Sequence, residues 1–145
     1  MIHDRSPRAL LCAAALSLVG AAGASGEEAG LRPLEASQAT LEALRWEARP
    51  VLVFAGRADD PAYRAQMRAL AAHEAQLQDY EVVVLAEPDP AASELREALQ
   101  VEGFATLLVG KDGGVKLREA APVDPARIFA LIDRMPMRKR EVHED

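Results

Sequence analysis

The residues with the clearest capacity for chemistry lie between the first strongly apolar run and the next predicted helix. This loop extends from Gly56 to Asp60 and includes Arg57 and Asp59. The two aspartates could hold a hard cation, with water completing its shell, and Arg57 could clamp a carboxylate or a phosphate. The alternative, which we favour, is structural: Asp60 caps the helix, Asp59 complements the helix dipole and Arg57 is solvated.

Cysteine and histidine chemistry has little support in the sequence. The single cysteine, Cys12, lies in an amino-terminal apolar run, so residues 25–145 contain no thiol. Thiol exchange needs a thiolate as nucleophile, which excludes disulfide exchange and thiol peroxidase activity for that part of the chain. His73 has no second histidine within a helical turn, and His143 lies in a charged terminal segment. We therefore expect no metal site, no cofactor and no catalytic residue.

The first residues have the pattern of a secretory signal peptide. Two arginines precede an apolar run over residues 9–19, and Ala22-Gly23-Ala24 has the A-x-A form of a cleavage site. The apolar run is well short of the roughly 20 residues that span a bilayer as a helix. We expect residues 1–24 to be removed and the protein to be periplasmic or extracellular, without stable membrane insertion after cleavage. An uncleaved anchor is the alternative.

The net charge of the chain indicates which classes of partner the protein is not expected to bind. The chain has 17 Lys and Arg against 23 Asp and Glu, a formal net charge of −6. Nucleic acids and anionic membrane surfaces select basic patches. We therefore expect no binding to nucleic acid.

Four strands are predicted. Continuous apolar runs at residues 51–55 and 82–86 are typical of strands buried on both faces of a sheet. Residues 105–109 and 115–118 form a hairpin, because the Asp-Gly pair between them supplies the positive φ that a tight turn needs.

Four helices are predicted from their first residues. Ser37 is a suitable N-cap for a helix over residues 38–48. Three Asp-Pro pairs combine an N-cap with a proline at the first helical position. They predict helices that begin after Asp60, Asp89 and Asp124.

Composition predicts one domain over residues 37–137. Residues 25–36 are polar and punctuated by Gly and Pro, which indicates a flexible lead-in. Pro136 ends the last helix, and residues 138–145 form a charged tail. Trp46 is expected to anchor the core between the first helix and the first strand.

The order of these elements predicts a single mixed sheet covered by helices on both faces. The fold class is therefore a three-layer α/β/α sandwich with a four-stranded sheet, preceded by an amino-terminal helix. Residues 103–115, GFATLLVGKDGGV, resemble the hairpin that follows the active-site loop of thioredoxins. In thioredoxins the functional loop follows the first strand and faces this hairpin. The resemblance implies these candidate binding residues: Gly56, Arg57, Asp59, Asp60, Ala105 and Thr106.

Ala105 stands where redox thioredoxins have a cis-proline. A cis bond before a non-proline residue costs about 2.5–4 kcal/mol, so we expect the Phe104–Ala105 bond to be trans. Ala105 and Thr106 should then pair directly with residues 51–54, and the groove beside Gly56 and Arg57 should be altered or partly closed.

Three segments together resemble the family called domain of unknown function 4174. They are residues 46–54 (WEARPVLVF), the hairpin over 103–117, and residues 131–138 (LIDRMPMR). The family is thioredoxin-like, with similar domains in bacterial exported proteins and animal extracellular-matrix proteins, and it brings no established reaction. The resemblance implies an exported, non-redox domain that binds a protein or an envelope component. The alternatives are an enzyme of unrecognised type, or a carrier of a metal or small ligand, using the loop from Arg57 to Asp60.

Overall fold

A mixed sheet forms the centre of the computed structural model, which describes residues 31–91 and 93–144. The five strands of the sheet have the spatial order β1-β3-β2-β4-β5. β1, β3 and β2 are parallel, β4 is antiparallel to β2, and β5 is antiparallel to β4. The strands are β1 (Leu34–Glu35), β2 (Arg49–Phe54), β3 (Val82–Glu87), β4 (Ala105–Val109) and β5 (Val115–Glu119).

Six helices occur in the described residues, and three of them begin at the predicted N-caps. The side chains of Ser37, Asp60 and Asp124 each accept a hydrogen bond from a backbone amide in the first turn, at 3.1, 2.9 and 2.9 Å. Within the described residues, no helix is long and apolar enough to cross a bilayer. The helices are α1 (Gln38–Leu44), α2 (Pro61–Ala71), α3 (Glu74–Asp79), α4 (Glu94–Ala98), α5 (Pro125–Asp133) and α6 (Pro136–Glu144).

The core consists of two apolar layers, one on each face of the sheet. Successive residues of a strand point to opposite faces, and the buried residues of β2 follow that rule. Val51 and Val53 pack with side chains of α2, α3 and α5. Leu52 and Phe54 pack with side chains of α1 and α4. The predicted three-layer α/β/α architecture is therefore confirmed, with five strands in place of four.

The additional strand lies in the segment predicted as a flexible lead-in. Leu34 and Glu35 pair with Leu85 and Ala86 of β3. A strand of two exposed residues is too short to show alternation, so no sequence pattern indicated it. The predicted signal peptide, residues 1–24, lies outside the described residues.

The residues predicted as a charged tail form most of helix α6. Pro136 follows the end of α5 at Asp133, as predicted, but it also occupies the first position of a new helix. Proline is well tolerated there, because the first N–H of a helix has no partner within it. Glu141 of α6 contacts Arg49 and Lys111 in the body of the domain, which fixes the helix in place.

Two helix predictions needed correction. The helix predicted after Asp89 begins after Ser93, whose hydroxyl accepts a hydrogen bond from the Arg96 amide at 3.0 Å. Asp89 instead accepts one from Ala91, so its side chain closes a turn. The long helix predicted from residue 61 divides at His73 into α2 and α3.

Trp46 does not anchor the core, contrary to the prediction. α1 ends at Leu44, and Trp46 adopts a φ of 69°. Its backbone amide donates to the carbonyl of Lys111 at 2.7 Å, while its side chain is 57% exposed. The backbone leaves the helical conformation at Arg45, which has a ψ of 131°, and the left-handed Trp46 that follows has its indole on the surface, beside the guanidinium of Arg45.

The hairpin has the predicted backbone. No cis peptide bond occurs in the described part of the chain, so the Phe104–Ala105 bond is trans. Ala105 pairs with Phe54 and Thr106 with Val53. β4 is therefore paired with β2 from its first residue, as the trans bond predicts.

Candidate functional site

The loop after β2 is held by the carboxylate of Asp60. One carboxylate oxygen accepts the Gly56 amide at 2.7 Å, and the other accepts the Ala62 amide at 2.9 Å. The hydrogen bond from Gly56 is the largest of the effects that lower the pKa of Asp60 below its ordinary value of 3.8. Both carboxylate oxygens of Asp60 thus accept hydrogen bonds from backbone amides, which supports a structural role for Asp60 over cation binding.

The other charged residues of this loop are on the surface. Arg57 is exposed, and Asp59 forms an ion pair with Arg64 at 3.4 Å in which both side chains are largely exposed. Such surface pairs contribute little to stability. Among the residues that the structure describes, no group of three or more His, Cys, Asp or Glu side chains is placed to hold a metal ion.

The space beside Gly56 is filled by the backbone that leads into β4. A Cβ atom built on Gly56 would lie 2.7 Å from the Phe104 nitrogen and 3.1 Å from the Gly103 carbonyl carbon. Only glycine permits so close an approach of two backbone segments. The backbone that leads into β4 therefore lies directly against the loop after β2 at Gly56.

Ala105 and Thr106 lie inside the domain. Ala105 is 6% exposed and Thr106 is fully buried. The Thr106 hydroxyl donates to the side-chain oxygen of Gln66 at 3.0 Å, and the same oxygen accepts the Val123 amide at 2.6 Å. The Gln66 amide group donates to the Val123 carbonyl at 3.0 Å. The structure thus places Thr106 in an internal polar network and Ala105 in the apolar layer that contains Leu52 and Phe54.

Arg96 holds the same end of the sheet together. Its Nε donates to Glu87 at 3.0 Å, Nη1 to the Gly103 carbonyl at 3.0 Å and Nη2 to the Ala55 carbonyl at 2.8 Å. Its guanidinium also lies 5.2 Å from the centre of the Phe54 ring. One buried side chain therefore joins the ends of β2 and β3 to the segment before β4. The sequence contained no signal for this role.

A second charged cluster lies at the opposite end of the sheet, where β2 begins and β4 ends. Arg49 is fully buried and donates to the Tyr80 carbonyl at 2.9 Å and to the two carboxylate oxygens of Glu141 at 3.1 and 3.3 Å. Lys111 donates to Glu141 at 2.7 Å and forms a further ion pair with Glu81. This cluster connects α6 to β2 and to the turn after β4.

The cluster is stabilised in its charged form. Burial acts to lower the pKa of Lys111, but its hydrogen bonds to Glu141 and Glu81 outweigh burial and raise the pKa above 10.5. Burial acts in the opposite sense on Glu141, where hydrogen bonds from Lys111 and Arg49 prevail and hold the pKa below 4.5. Both groups are therefore charged at neutral pH.

A cleft of about 310 Å³ opens beside this cluster. It lies between the β4–β5 turn and the start of α6, and all three of the sequence segments that carried the family resemblance contribute lining residues. No site was predicted here, because Arg49 begins β2 and is brought to Glu141, 92 positions later, by the fold. The lining residues are Arg49, Gly110, Lys111, Asp112, Lys116, Leu131, Arg134, Met135, Pro136 and Met137.

Three carboxylates with lowered pKa values predict a loss of stability in acid. The Gly114 amide is the main cause of the lowered pKa of Asp112, and Asp60 and Glu141 are lowered as described above. A lowered pKa in the folded state means that the unfolded state binds more protons. The stabilisation that these charged carboxylates provide is fully present above their ordinary pKa values of 3.8 and 4.5. It is lost as the pH falls through their lowered pKa values in the folded state.

Urea unfolding at a series of pH values between 7 and about 2 measures this loss. We expect the free energy of unfolding to fall most steeply below about pH 4. Asp60→Asn should make the free energy of unfolding less dependent on pH, because asparagine still caps the helix but does not titrate. An Asp60→Asn curve with the same slope as the wild type would contradict the role of Asp60.

Comparisons with known proteins agree with this fold. A profile of the family described as domain of unknown function (DUF4174) matches residues 40–141. No curated protein matches the sequence. Desulfothioredoxin from Desulfovibrio vulgaris Hildenborough in its reduced form is a similar solved structure, with 20% identity, a TM-score of 0.55, and coverage of 72% of this chain and 97% of that chain.

The yeast mitochondrial 1-Cys peroxiredoxin is also similar in structure. Its identity is 14% and its TM-score 0.51, with coverage of 71% of this chain and 94% of that chain. At such identities the two structures show the fold alone. Because the family profile spans most of the sequence, the chain belongs to the DUF4174 family of domains of unknown function, and its fold is thioredoxin-like.

Proposed function

We propose that this protein is an exported, non-redox thioredoxin-like domain that binds a protein or an envelope component. The observation that carries the proposal is the internal use of the loop after β2. Asp60 bonds to backbone amides, Gly56 is covered by residues 103–104, and residues 25–145 contain no cysteine. Because the polar groups of this loop bond within the protein and no thiol is present in residues 25–145, we expect the protein to bind its partner through other surfaces and not to carry out thiol chemistry.

Capture from the native envelope fraction tests the binding function. The purified protein, immobilised through its amino terminus, should retain one dominant partner at a fixed stoichiometry. The matched control is Val53→Asp, because Val53 is fully buried and an unpaired charge there should unfold the domain. A partner retained equally by this variant, or no partner at any loading, would contradict the proposal.

We expect no insulin-disulfide reductase activity and no thiol peroxidase activity from the processed protein under any redox condition. The reason is chemical, since both reactions need a thiolate and Cys12 lies within the predicted signal peptide. The measurement is turnover of insulin and of hydrogen peroxide, with a redox thioredoxin as the positive control. Turnover by the processed protein above the buffer rate would end the non-redox proposal.

Export predicts a defined new amino terminus. Sequencing of the protein recovered from outside the cytoplasm should begin near Ser25, after the Ala22-Gly23-Ala24 segment. Ala24→Arg should block cleavage, because the site requires a small residue, while Ser17→Ala in the apolar run should not. An intact Met1 in the membrane fraction of wild-type cells would instead indicate an anchor.

A further inference from the structure

We propose that the cleft between the β4–β5 turn and the start of α6 binds an anionic group, a carboxylate or a phosphate, carried on a small ligand with an apolar part. The inference goes beyond the proposed function. It concerns the end of the sheet opposite Gly56, and it holds whether or not a macromolecular partner exists.

The lining of the cleft has an excess of positive charge. Four of its residues are cationic, Arg49, Lys111, Lys116 and Arg134, whereas Asp112 is its single carboxylate. The whole chain has a net charge of −6, so this concentration of cations is local. Positive charge along a concave surface raises the local concentration of anions.

Part of that positive charge is already neutralised by the protein. Glu141 and Glu81 pair with Arg49 and Lys111, and Lys116 pairs with Asp112 at 3.0 Å. These contacts orient the cations. Arg134 forms no ion pair within residues 31–91 and 93–144, which leaves one uncompensated charge at the cleft.

The hydrogen bonding of Arg49 supports an anion site independently of the number of cations in the cleft. Its side chain is 1% exposed, it lines the cleft, and its Nε is buried with no hydrogen-bond partner among the described residues. A buried donor of a charged group that has no acceptor is costly. The Arg49 guanidinium beside the cleft therefore keeps donor capacity that the described residues do not satisfy.

The start of α6 adds the backbone amides of Met137 and Arg138 as donors, because Pro136 has no N–H and the Lys139 amide bonds to the Met135 carbonyl. Pro136 and Met137 line the cleft, and α6 is nine residues long. The first N–H groups of a helix have no carbonyl partner within it, and the amino end carries a partial positive charge. Carboxylates and phosphates are the groups that such helix ends bind. The unpaired Arg49 donor and the helix end therefore favour the same class of ligand.

Size and apolar lining define the rest of the ligand. A volume of about 310 Å³ is at the lower end of the range for small-molecule sites. Leu131, Met135 and Met137 form the apolar side of the cleft, and methionine adapts readily to ligands of different shape. We infer a small ligand with a short apolar chain and one anionic head.

Amide chemical shifts of the isotopically labelled protein give a direct test. Hexanoate, hexanol and inorganic phosphate serve as probes, at constant pH and ionic strength. Hexanoate or phosphate should produce saturable shifts at Lys111, Met137 and Arg138, whereas uncharged hexanol should produce much weaker ones. Tighter binding of hexanoate identifies a carboxylate as the preferred head, and tighter binding of phosphate identifies a phosphate.

Surface variants separate this site from non-specific charge effects. Lys116→Ala combined with Arg134→Ala should weaken binding at least tenfold, and both positions are exposed, so folding should be retained. Arg57→Ala removes an exposed cation at the other end of the sheet and should leave the affinity unchanged. Arg49→Lys keeps the charge but removes Nε, and should also weaken binding.

Two results would overturn the proposal. One is the lack of saturable shifts with either anion. The other is equal affinity in the wild type and the Lys116→Ala, Arg134→Ala variant. Neither result bears on whether a partner is captured from the envelope, so failure of this site is distinguishable from failure of the proposed function.

Discussion

Arg96→Met is expected to lower the free energy of unfolding by about 3–5 kcal/mol, the range for removal of one partner from a buried ion pair. The side chains of Arg96 and Glu87 are 9% and 12% exposed. Without the guanidinium, the Ser93 hydroxyl is the one side-chain donor that the described residues leave to the Glu87 carboxylate. The carbonyls of Ala55 and Gly103 also lose their Arg96 donors.

Urea unfolding measures the loss, and two further variants identify its cause. Arg64→Met removes an exposed ion pair and should change the free energy of unfolding by less than about 1 kcal/mol. Glu87→Gln added to Arg96→Met should recover part of the loss, because it removes the charge left without its partner. Equal effects of Arg96→Met and Arg64→Met would show that Arg96 does not hold this end of the sheet.

Gln66→Leu is expected to cost about 3 kcal/mol or more, since three polar groups lose their partner and each costs about 1–3 kcal/mol when buried and unsatisfied. Gln66 is fully buried in α2. The groups affected are the amide and the carbonyl of Val123 and the hydroxyl of Thr106. The apolar replacement is similar in size, so the loss reports the polar network rather than a cavity.

Urea unfolding again provides the measurement, with two comparison variants. Gln76→Leu, at an exposed position of α3, should change the free energy of unfolding by no more than about 0.5 kcal/mol. Thr106→Val removes one hydrogen bond and should cost about 1 kcal/mol. A Gln66→Leu loss no larger than that of Thr106→Val would contradict the network.

The parts of the fold that the sequence predicted are those set by local chemistry. The side chains of Ser37, Asp60 and Asp124 cap helices because each forms a hydrogen bond within a few residues of itself. The continuous apolar runs became β2 and β3 because both faces of the sheet are covered by helices. The trans bond before Ala105 followed from the cost of a cis bond without proline.

The parts that the sequence did not predict depend on contacts between distant positions. Gln66 bonds to Val123, 57 positions later, and Arg49 bonds to Glu141, 92 positions later. No local pattern distinguishes such polar residues from solvated ones. Trp46 was placed in the core by its size alone, whereas the positive φ that turns it outward depends on how α1 ends.

The binding loop after β2 stays a prediction, although the structure shows how the polar groups of this loop are used. The fold brings Gly56 and Asp60 to the end of β2, as the thioredoxin resemblance implied, but their polar groups are used internally. The cleft at the other end was missed because its charged lining is assembled from β2, the β4–β5 turn and the start of α6.

Calorimetric titration of the purified protein with its captured envelope partner tests the central claim most directly, because it separates binding from catalysis. If the protein binds its partner, the heat of binding should saturate at a fixed molar ratio, and both components should be recovered unchanged. Sustained heat release after the equivalence point, together with chemical change in the partner or in a small molecule, would contradict a binding role and establish an enzyme.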